Sequence, residues 1–386
     1  MAWNMVDVDQ QRVRFVVAAS RQEKPLRQLC QELGISRPTG YVWLGRYRQH
    51  GLAGIAERSR RPHWSPQRTA AEREQQVVQL RQRYPDWGAR KLQVLLAQQG
   101  LALPASTIHR ILLRHDLVRP EDRHEHAVQR FEKAQPNELW QMDFKSPLGW
   151  DTHVGPLSVL DDHSRYMTVL GETKSTRAEL VREQLAAGFG RCGVPQAMLM
   201  DHGTPWWNVN SAGGITGLAI WLMKQGIRLH WSGLRHPQTQ GKVERFHGSL
   251  QRTMQLRGLP GENRQAWLDA YRQEYNEVRP HEALGMRTPA SVWRPSERGY
   301  DPQPPRWEYP QNAEVRKINH QGYLSVQGFC WYCRPLANEW VQLMTIEERI
   351  LVYYCQTVVC ELDLGFRLPQ NCKGCVGTEC RGCRGT

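Results

Sequence analysis

The stretch His236-Pro-Gln-Thr-Gln-Gly-Lys-Val-Glu-Arg-Phe-His247 decides how the rest of the chain is read. Pro237 and Gly241 delimit a helix, because proline cannot sit in a helix interior and glycine weakens one. Phe246 and Leu250 then follow at helical spacing and grip a core, with Glu244 ahead of them in the first turn. Upstream, Met198-Leu-Met-Asp201 reads as a short apolar strand ending at the loop Gly203-Thr-Pro205. Leu139-Trp-Gln-Met-Asp-Phe144 reads as a strand that carries a carboxylate inside it. A carboxylate in a buried strand is costly to desolvate unless something pairs with it, and a divalent cation is the strongest partner available. Asp143 therefore asks for a metal. Adjacent strands and a flanking helix can bring Asp143, Asp201 and Glu244 together. Three hard oxygen donors with open coordination positions suit two Mg²⁺ ions about 3.5 to 4 Å apart, with Mn²⁺ as a substitute. One ion would activate an attacking hydroxyl and the other stabilise a leaving oxygen, which is in-line phosphodiester displacement.

The segments around these residues alternate between β and α patterns. Leu157 to Leu160 and Tyr166 to Leu170 are expected strands, followed by a helix from about Arg177 to Gly188 and a strand over Ala197 to Met200. Asp161-Asp-His-Ser-Arg165 is turn chemistry between two apolar runs, so the first strands should form an antiparallel meander within a mixed sheet. Aspartates in such a turn bond the turn's own backbone, so Asp161 and Asp162 are left out of the site.

Five segments together carry a family resemblance. Trp140-Gln-Met-Asp143, Asp161-Asp-His-Ser-Arg165, Asp201-His-Gly203, His236 through Glu244 and Tyr275-Asn-Glu-Val-Arg-Pro-His281 look like bacterial insertion-sequence transposases with a retroviral-integrase-type catalytic core. The likeness covers nearly the whole chain. It implies an RNase H-like fold, DDE-type catalytic and metal-binding roles for Asp143, Asp201 and Glu244, and a metal-dependent polynucleotidyl transfer. Donor ends would be nicked by hydrolysis, and the freed 3′-hydroxyl would attack target DNA with no covalent protein intermediate. The chain departs from the family in one respect. Asp201 and Glu244 have 42 residues between them, a longer spacing than the resemblance implies, and the excess is read as a loop insertion over Trp206 to Gly214.

Charge points to the same class of partner. The formal net charge is +13, and residues 11 to 130 hold 22 Lys/Arg against 10 Asp/Glu. A cationic N-terminal region suits a polyanion, since neutralised phosphates release counterions. Val13 to His50 reads as three helices with Leu26, Leu29, Cys30 and Leu33 on one face. Gly34 supplies a left-handed turn, Ser36 caps the third helix, and Tyr41, Leu44 and Tyr47 are expected to face inward. Arg37, Thr39, Arg46 and Arg48 would then point toward DNA, as in a helix-turn-helix, with a plain three-helix bundle as the alternative. A second unit of the same logic runs from Ala71 to Val118, with a helix capped by Ser106 or Thr107. Between the two, Arg58, Arg60 and Arg61 lie in a proline-broken basic stretch that reads as an arm on DNA or as a solvated linker. Near Glu244, the groups His236, Lys242, Arg245 and His247 are placed to hold scissile phosphates, although a neutral packed His247 is equally admissible.

From Trp307 to Leu364, short strands such as Glu314 to Ile318, Tyr323 to Val326 and Glu348 to Tyr354 suggest a small β-barrel. Eight of the ten cysteines follow Gly328. Cys372, Cys375, Cys380 and Cys383 form two CxxC pairs that could take Zn²⁺, against which only four residues separate the pairs. The chain is thus expected to be a multidomain α/β protein with N-terminal helix-turn-helix units, an RNase H-like mixed α/β catalytic core and a small C-terminal β-barrel. Boundaries are drawn at 1–57, 58–70 (basic linker), 71–118, 119–136 (linker), 137–300 (core), 301–365 (barrel) and 366–386 (tail). No apolar run reaches the ~18 residues needed to cross a bilayer and Met1 to Gln10 is not a signal peptide, so a cytoplasmic, nucleoid-associated protein is expected. Its partners would be double-stranded DNA, both the element's terminal inverted repeats and the target, bound by a homo-oligomer. The rivals are a domesticated or inactive element acting as a sequence-specific DNA-binding protein, and a generic RNase H-type nuclease.

Overall fold

The structure is a computed structural model that describes residues 8–56, 68–118, 132–146, 154–209, 211, 214–231, 241–259, 261 and 263–363. The chain divides into two compact units, Met1–Thr69 and Ala70–Thr386.

In the first unit, α1 (Val8–Ser20), α2 (Leu26–Glu32) and α3 (Arg37–His50) close over Phe15, Val16, Leu29, Cys30 and Ile55. Gly34 takes a φ of +63°, and the Ser36 hydroxyl accepts the Thr39 amide at 3.3 Å, so the turn and cap form as expected. The inward face of α3 differs from the expectation. Tyr41 is 63% exposed, while Trp43, Leu44 and Tyr47 turn inward. Gly40 is the reason: a Cβ there would lie 2.6 Å from Cys30 Sγ and 2.9 Å from Phe15 Cζ, so this side of α3 approaches its neighbours most closely.

The second unit begins with α4 (Ala71–Arg83), α5 (Ala89–Gln98) and α6 (Ala105–Arg114), packed around Val77, Trp87, Leu92, Leu96, Ile108 and Ile111. The third of these starts after Pro104 with no side-chain cap, so neither Ser106 nor Thr107 caps it. Pro104 is itself the N-cap, extended, and its carbonyl accepts the Thr107 and Ile108 amides at 2.9 and 3.0 Å.

A five-stranded mixed sheet follows, built from β1 (Trp140–Phe144), β2 (Leu157–Asp161), β3 (Met167–Gly171), β4 (Ala197–Met200) and β5 (Arg228–Trp231) in the order β3-β2-β1-β4-β5. The first three are antiparallel, as the meander predicts, and β4 and β5 join parallel after a crossover through α7 (Ala178–Cys192). A helix buried from Leu218 to Met223, α8 (Gly217–Lys224), leads into β5. One side of the sheet carries α9 (Gly241–Arg257) and α10 (Arg264–Gln273), whose Phe246, Leu250, Leu268 and Tyr271 pack on Leu160, Met167 and Leu170. A π-helical turn over Glu274–Val278 continues α10, and α11 (Pro289–Val292) follows. In that turn Asn276 accepts the Met167 amide at 2.8 Å and donates to the Met167 carbonyl at 3.0 Å. It thereby satisfies β3 beside the irregularity in its pairing with β2.

Helices α4–α6 are fastened to this core by Asp86, whose side chain is 1% exposed. Arg257 Nη2 lies 2.6 Å and Arg279 Nη1 2.9 Å from its two oxygens, and Thr253 Oγ1 donates at 3.2 Å.

The C-terminal strands do not close into the expected barrel. β6 (Glu314–Lys317), β9 (Trp340–Ile346), β10 (Arg349–Tyr354) and β11 (Thr357–Asp363) form an open antiparallel sheet in the order β11-β10-β9-β6. The hairpin of β7 (Tyr323–Val326) and β8 (Phe329–Tyr332) pairs only with itself. Among the described residues no ladder joins either end of this sheet to close a ring. Its buried face is covered by continuous packing with the core.

Candidate active site

The alternation of β1 sorts its side chains. Trp140 and Met142 enter the main core, while Gln141 and Asp143 share the opposite face. Because β4 runs parallel to β1 with Trp140 opposite Met198 and Gln141 opposite Leu199, the same register carried forward sets Asp143 beside Asp201. Glu244 stands exposed in the first turn of α9.

A buried polar network fixes the start of α9. Gln141, 1% exposed, donates to Asp162 Oδ1 at 2.9 Å, and its Oε1 accepts the Val243 amide at 3.4 Å. Lys242 Nζ lies 2.6 Å from the same Asp162 oxygen. Lys242 is thus paired inside the fold rather than held out to solvent, and Arg245 is the exposed cation of this turn. Asp161 bonds its own turn, accepting the Ser164 amide at 2.7 Å and hydroxyl at 2.6 Å. Its other oxygen accepts the Asn137 amide at 2.7 Å and Asp162 accepts the Lys133 amide at 2.8 Å, both from outside the turn.

Burial, and then the neighbouring charge of Asp201, push the Asp143 carboxyl up to about 7, with Glu244 adding to the rise. The Asp201 Oδ1 accepts the Gly203 amide at 3.0 Å and the Trp206 indole N–H at 2.8 Å. Trp206 is 1% exposed and stacks on Phe144 at 5.1 Å. The segment read as a loop insertion therefore begins with a core residue that holds Asp201. His247, one turn after Glu244, places Nε2 3.0 Å from Ser158 Oγ and Nδ1 3.8 Å from Asp143 Oδ2. Burial and the Lys145 charge lower its pKa to about 3, so it is a neutral, packed imidazole near pH 7. Sequence reasoning overlooked Gln141, Lys145 and Trp206. The first two share the period-two face of Asp143, a signal that could have found them.

The donor set fits a divalent cation chemically, as hard carboxylate oxygens of which Asp143 is pushed toward neutrality by burial first and by the charges of Asp201 and Glu244 after it. Among the described residues no group of three or more His, Cys, Asp or Glu is closed into a ready coordination cage. The fit therefore rests on donor type.

Of the residues expected at DNA, Arg37 and Arg48 are exposed on α3. Arg46 lies over the Trp43 ring at 4.8 Å, with Arg12 over the same ring at 4.4 Å, and the Thr39 hydroxyl meets that of Ser36 at 2.8 Å. Arg58, Arg60, Arg61, His236 and the cysteines Cys372, Cys375, Cys380 and Cys383 lie outside the described residues. Among the described residues no helix is long and apolar enough to cross a membrane.

Comparison with known proteins gives three domain matches: a helix-turn-helix domain over residues 11–63, a homeodomain-like domain over 39–112 and an integrase core domain over 225–289. The chain is 24% identical over 223 residues to an uncharacterized 31.7 kDa protein of insertion element IS407 from Burkholderia multivorans, spanning 55% of this chain and 78% of that one. Among solved structures, a chain of the simian T-cell lymphotropic virus intasome is 15% identical, covering 71% of this chain and 91% of its own, with a TM-score of 0.36. The HTLV-2 integrase catalytic core domain in complex with magnesium is 14% identical, covering 41% of this chain and 97% of its own, with a TM-score of 0.33.

Proposed function

We propose that this chain, an insertion-element transposase with helix-turn-helix domains and an integrase-type core, cuts the terminal inverted repeats of its own mobile element and joins them to target DNA. The observation that carries the reading is the parallel register of β1 and β4, which sets Asp143 beside Asp201, together with Glu244 in the first turn of α9 near enough to act on the Asp143 charge. Mg²⁺ held by Asp143, Asp201 and Glu244 would supply Lewis-acid activation of the attacking hydroxyl and charge neutralisation at the leaving oxygen.

The chain's own groups prepare that site. Trp206 and the Gly203 amide orient Asp201, while Gln141, Asp162 and Lys242 fix the turn that carries Glu244. His247 is bonded to Ser158 and packs beside Asp143 uncharged, and burial makes its imidazole too weak a proton acceptor for a general base at neutral pH. Among the described residues, Lys145 and Arg245 stand beside the carboxylates and would receive scissile phosphates. Water would break the donor phosphodiester to release a 3′-hydroxyl, and that hydroxyl would then displace the 3′-oxygen of a target phosphodiester. Pairing two ends requires at least two protomers.

The test is a cleavage and joining assay on the element's terminal DNA with Mg²⁺ or Mn²⁺, beside Glu244→Gln. Metal-dependent cutting lost in the variant, with end binding kept, is the expected result. Cutting that survives in Glu244→Gln rejects the site. Tight end binding without cutting in either protein would instead favour a domesticated DNA-binding protein.

A further inference from the structure

The outward stripe of α3 is unusual for a solvated helix. Tyr41 is 63% and Val42 52% exposed, side by side, and neither contributes to the packed face formed by Gly40, Trp43, Leu44 and Tyr47. Gly45 lies on the same stripe one turn on, and a Cβ built there meets nothing within 4 Å. A mid-helix glycine that relieves no internal contact weakens its helix without improving packing. It does leave the outer surface of α3 low enough for another molecule to approach the backbone. Arg37, Arg48 and Gln49 flank the stripe, and the helix contains no acidic residue.

An apolar strip rimmed by cations and amides matches a DNA major groove, where thymine C5-methyl groups are the apolar feature and phosphates line the edges. Resting on the reading of this unit as the DNA-end-binding module, we infer that Tyr41 and Val42 read thymine methyl groups, with Gly45 providing the clearance that lets α3 seat deeply. Arg37 and Arg48 then serve the flanking phosphates, and Arg46, held over Trp43, supports the helix from behind.

The experiment uses the full chain and a pool of duplexes carrying a randomised central segment. The best-bound duplex is then remade with deoxyuridine replacing each thymidine in turn, which deletes the methyl and leaves base pairing intact. One or two replacements should each weaken binding about fourfold, the worth of one buried methyl-sized group. Those same replacements should cost nothing further in Val42→Ser or Tyr41→Ser. Gly45→Ala should raise the melting temperature of the first unit while weakening binding severalfold, a split that a purely structural glycine would not produce.

Selective binding that is indifferent to every uridine replacement overturns the methyl reading and leaves end binding intact. If no sequence is enriched, end binding by this unit fails along with it. If Tyr41→Ser converts a dimer to a monomer with DNA affinity unchanged, the stripe is a contact between copies of the chain, and the inference is wrong.

Discussion

Two aspartates, each largely withdrawn from water, meet opposite surroundings. The Asp86 side chain is 1% exposed, and burial alone would raise its pKa. Two guanidiniums outweigh that, Arg279 and Arg257, and hold the carboxyl below its usual range. The Asp143 side chain keeps 23% exposure, yet burial and the charge of Asp201 push it up to about 7. Asp86 thus has its partners built in and serves as a fastening between helices and core. Asp143 has rivals built in, which is the arrangement of a site whose energy changes when a cation arrives.

Removing each carboxylate should therefore move stability in opposite directions. Asp86→Ala leaves the buried Arg279 without its carboxylate and Arg257 with Glu274 alone, and a loss of about 3–5 kcal/mol is expected in denaturant unfolding of the second unit. A loss below about 1 kcal/mol would mean the seam is held by apolar packing and the contrast with Asp143 is empty. Because the folded pKa of Asp86 is depressed, its contribution is present above the unfolded-state value and fades as pH falls through the folded one.

Asp143→Asn should stabilise the protein in chelator. The folded carboxyl holds its proton more tightly than the unfolded one, so stability declines as pH rises from about 4 to about 7 and stays lost above. The variant should gain on the order of 2 kcal/mol at pH 8 and almost nothing at pH 4, read from melting curves at both. No gain at pH 8 would show that Asp143 is as well satisfied as Asp86. The smallest effect belongs to Trp206→Phe, which keeps an aromatic ring against Phe144 and deletes the indole donor to Asp201 together with part of the buried ring volume. Weakening of Mn²⁺ binding by about 1 kcal/mol, fivefold or so in titration calorimetry, is expected. Unchanged affinity would leave Trp206 a packing residue.

What was legible in the sequence was local. The strand carrying Asp143, the strand ending at Asp201 and the helix start before Glu244 all announce themselves by apolar runs broken at proline and glycine. The bonds of Asp161 to Ser164 likewise follow from turn chemistry, while its bond to the Asn137 amide does not. What escaped was either aperiodic or distant. Leu218 to Met223 are buried all round, so α8 shows no face, and β5 just after it was missed as well. Trp206 sits in a stretch without period and reads as loop until its ring is found against Phe144. On α3 the helical period fixed the spacing of the inward residues and not their phase, which Gly40 sets through contact with α1 and α2. Lys242 looks like a free base in the sequence because its partner, Asp162, lies 80 residues earlier. The open C-terminal sheet was misjudged because strand patterns reveal alternation and not which edges meet.

The Asp86 seam also imposes an order in time. Asp86 and Arg279 are 193 residues apart, so a ribosome adding roughly 5–20 residues per second delivers the cation roughly 10–40 s after the acid. Until then α4–α6 carry a hydrated aspartate on the surface destined to be sealed. A chain stopped before residue 279 can complete those helices but lacks one of the two guanidiniums that fasten them to the core.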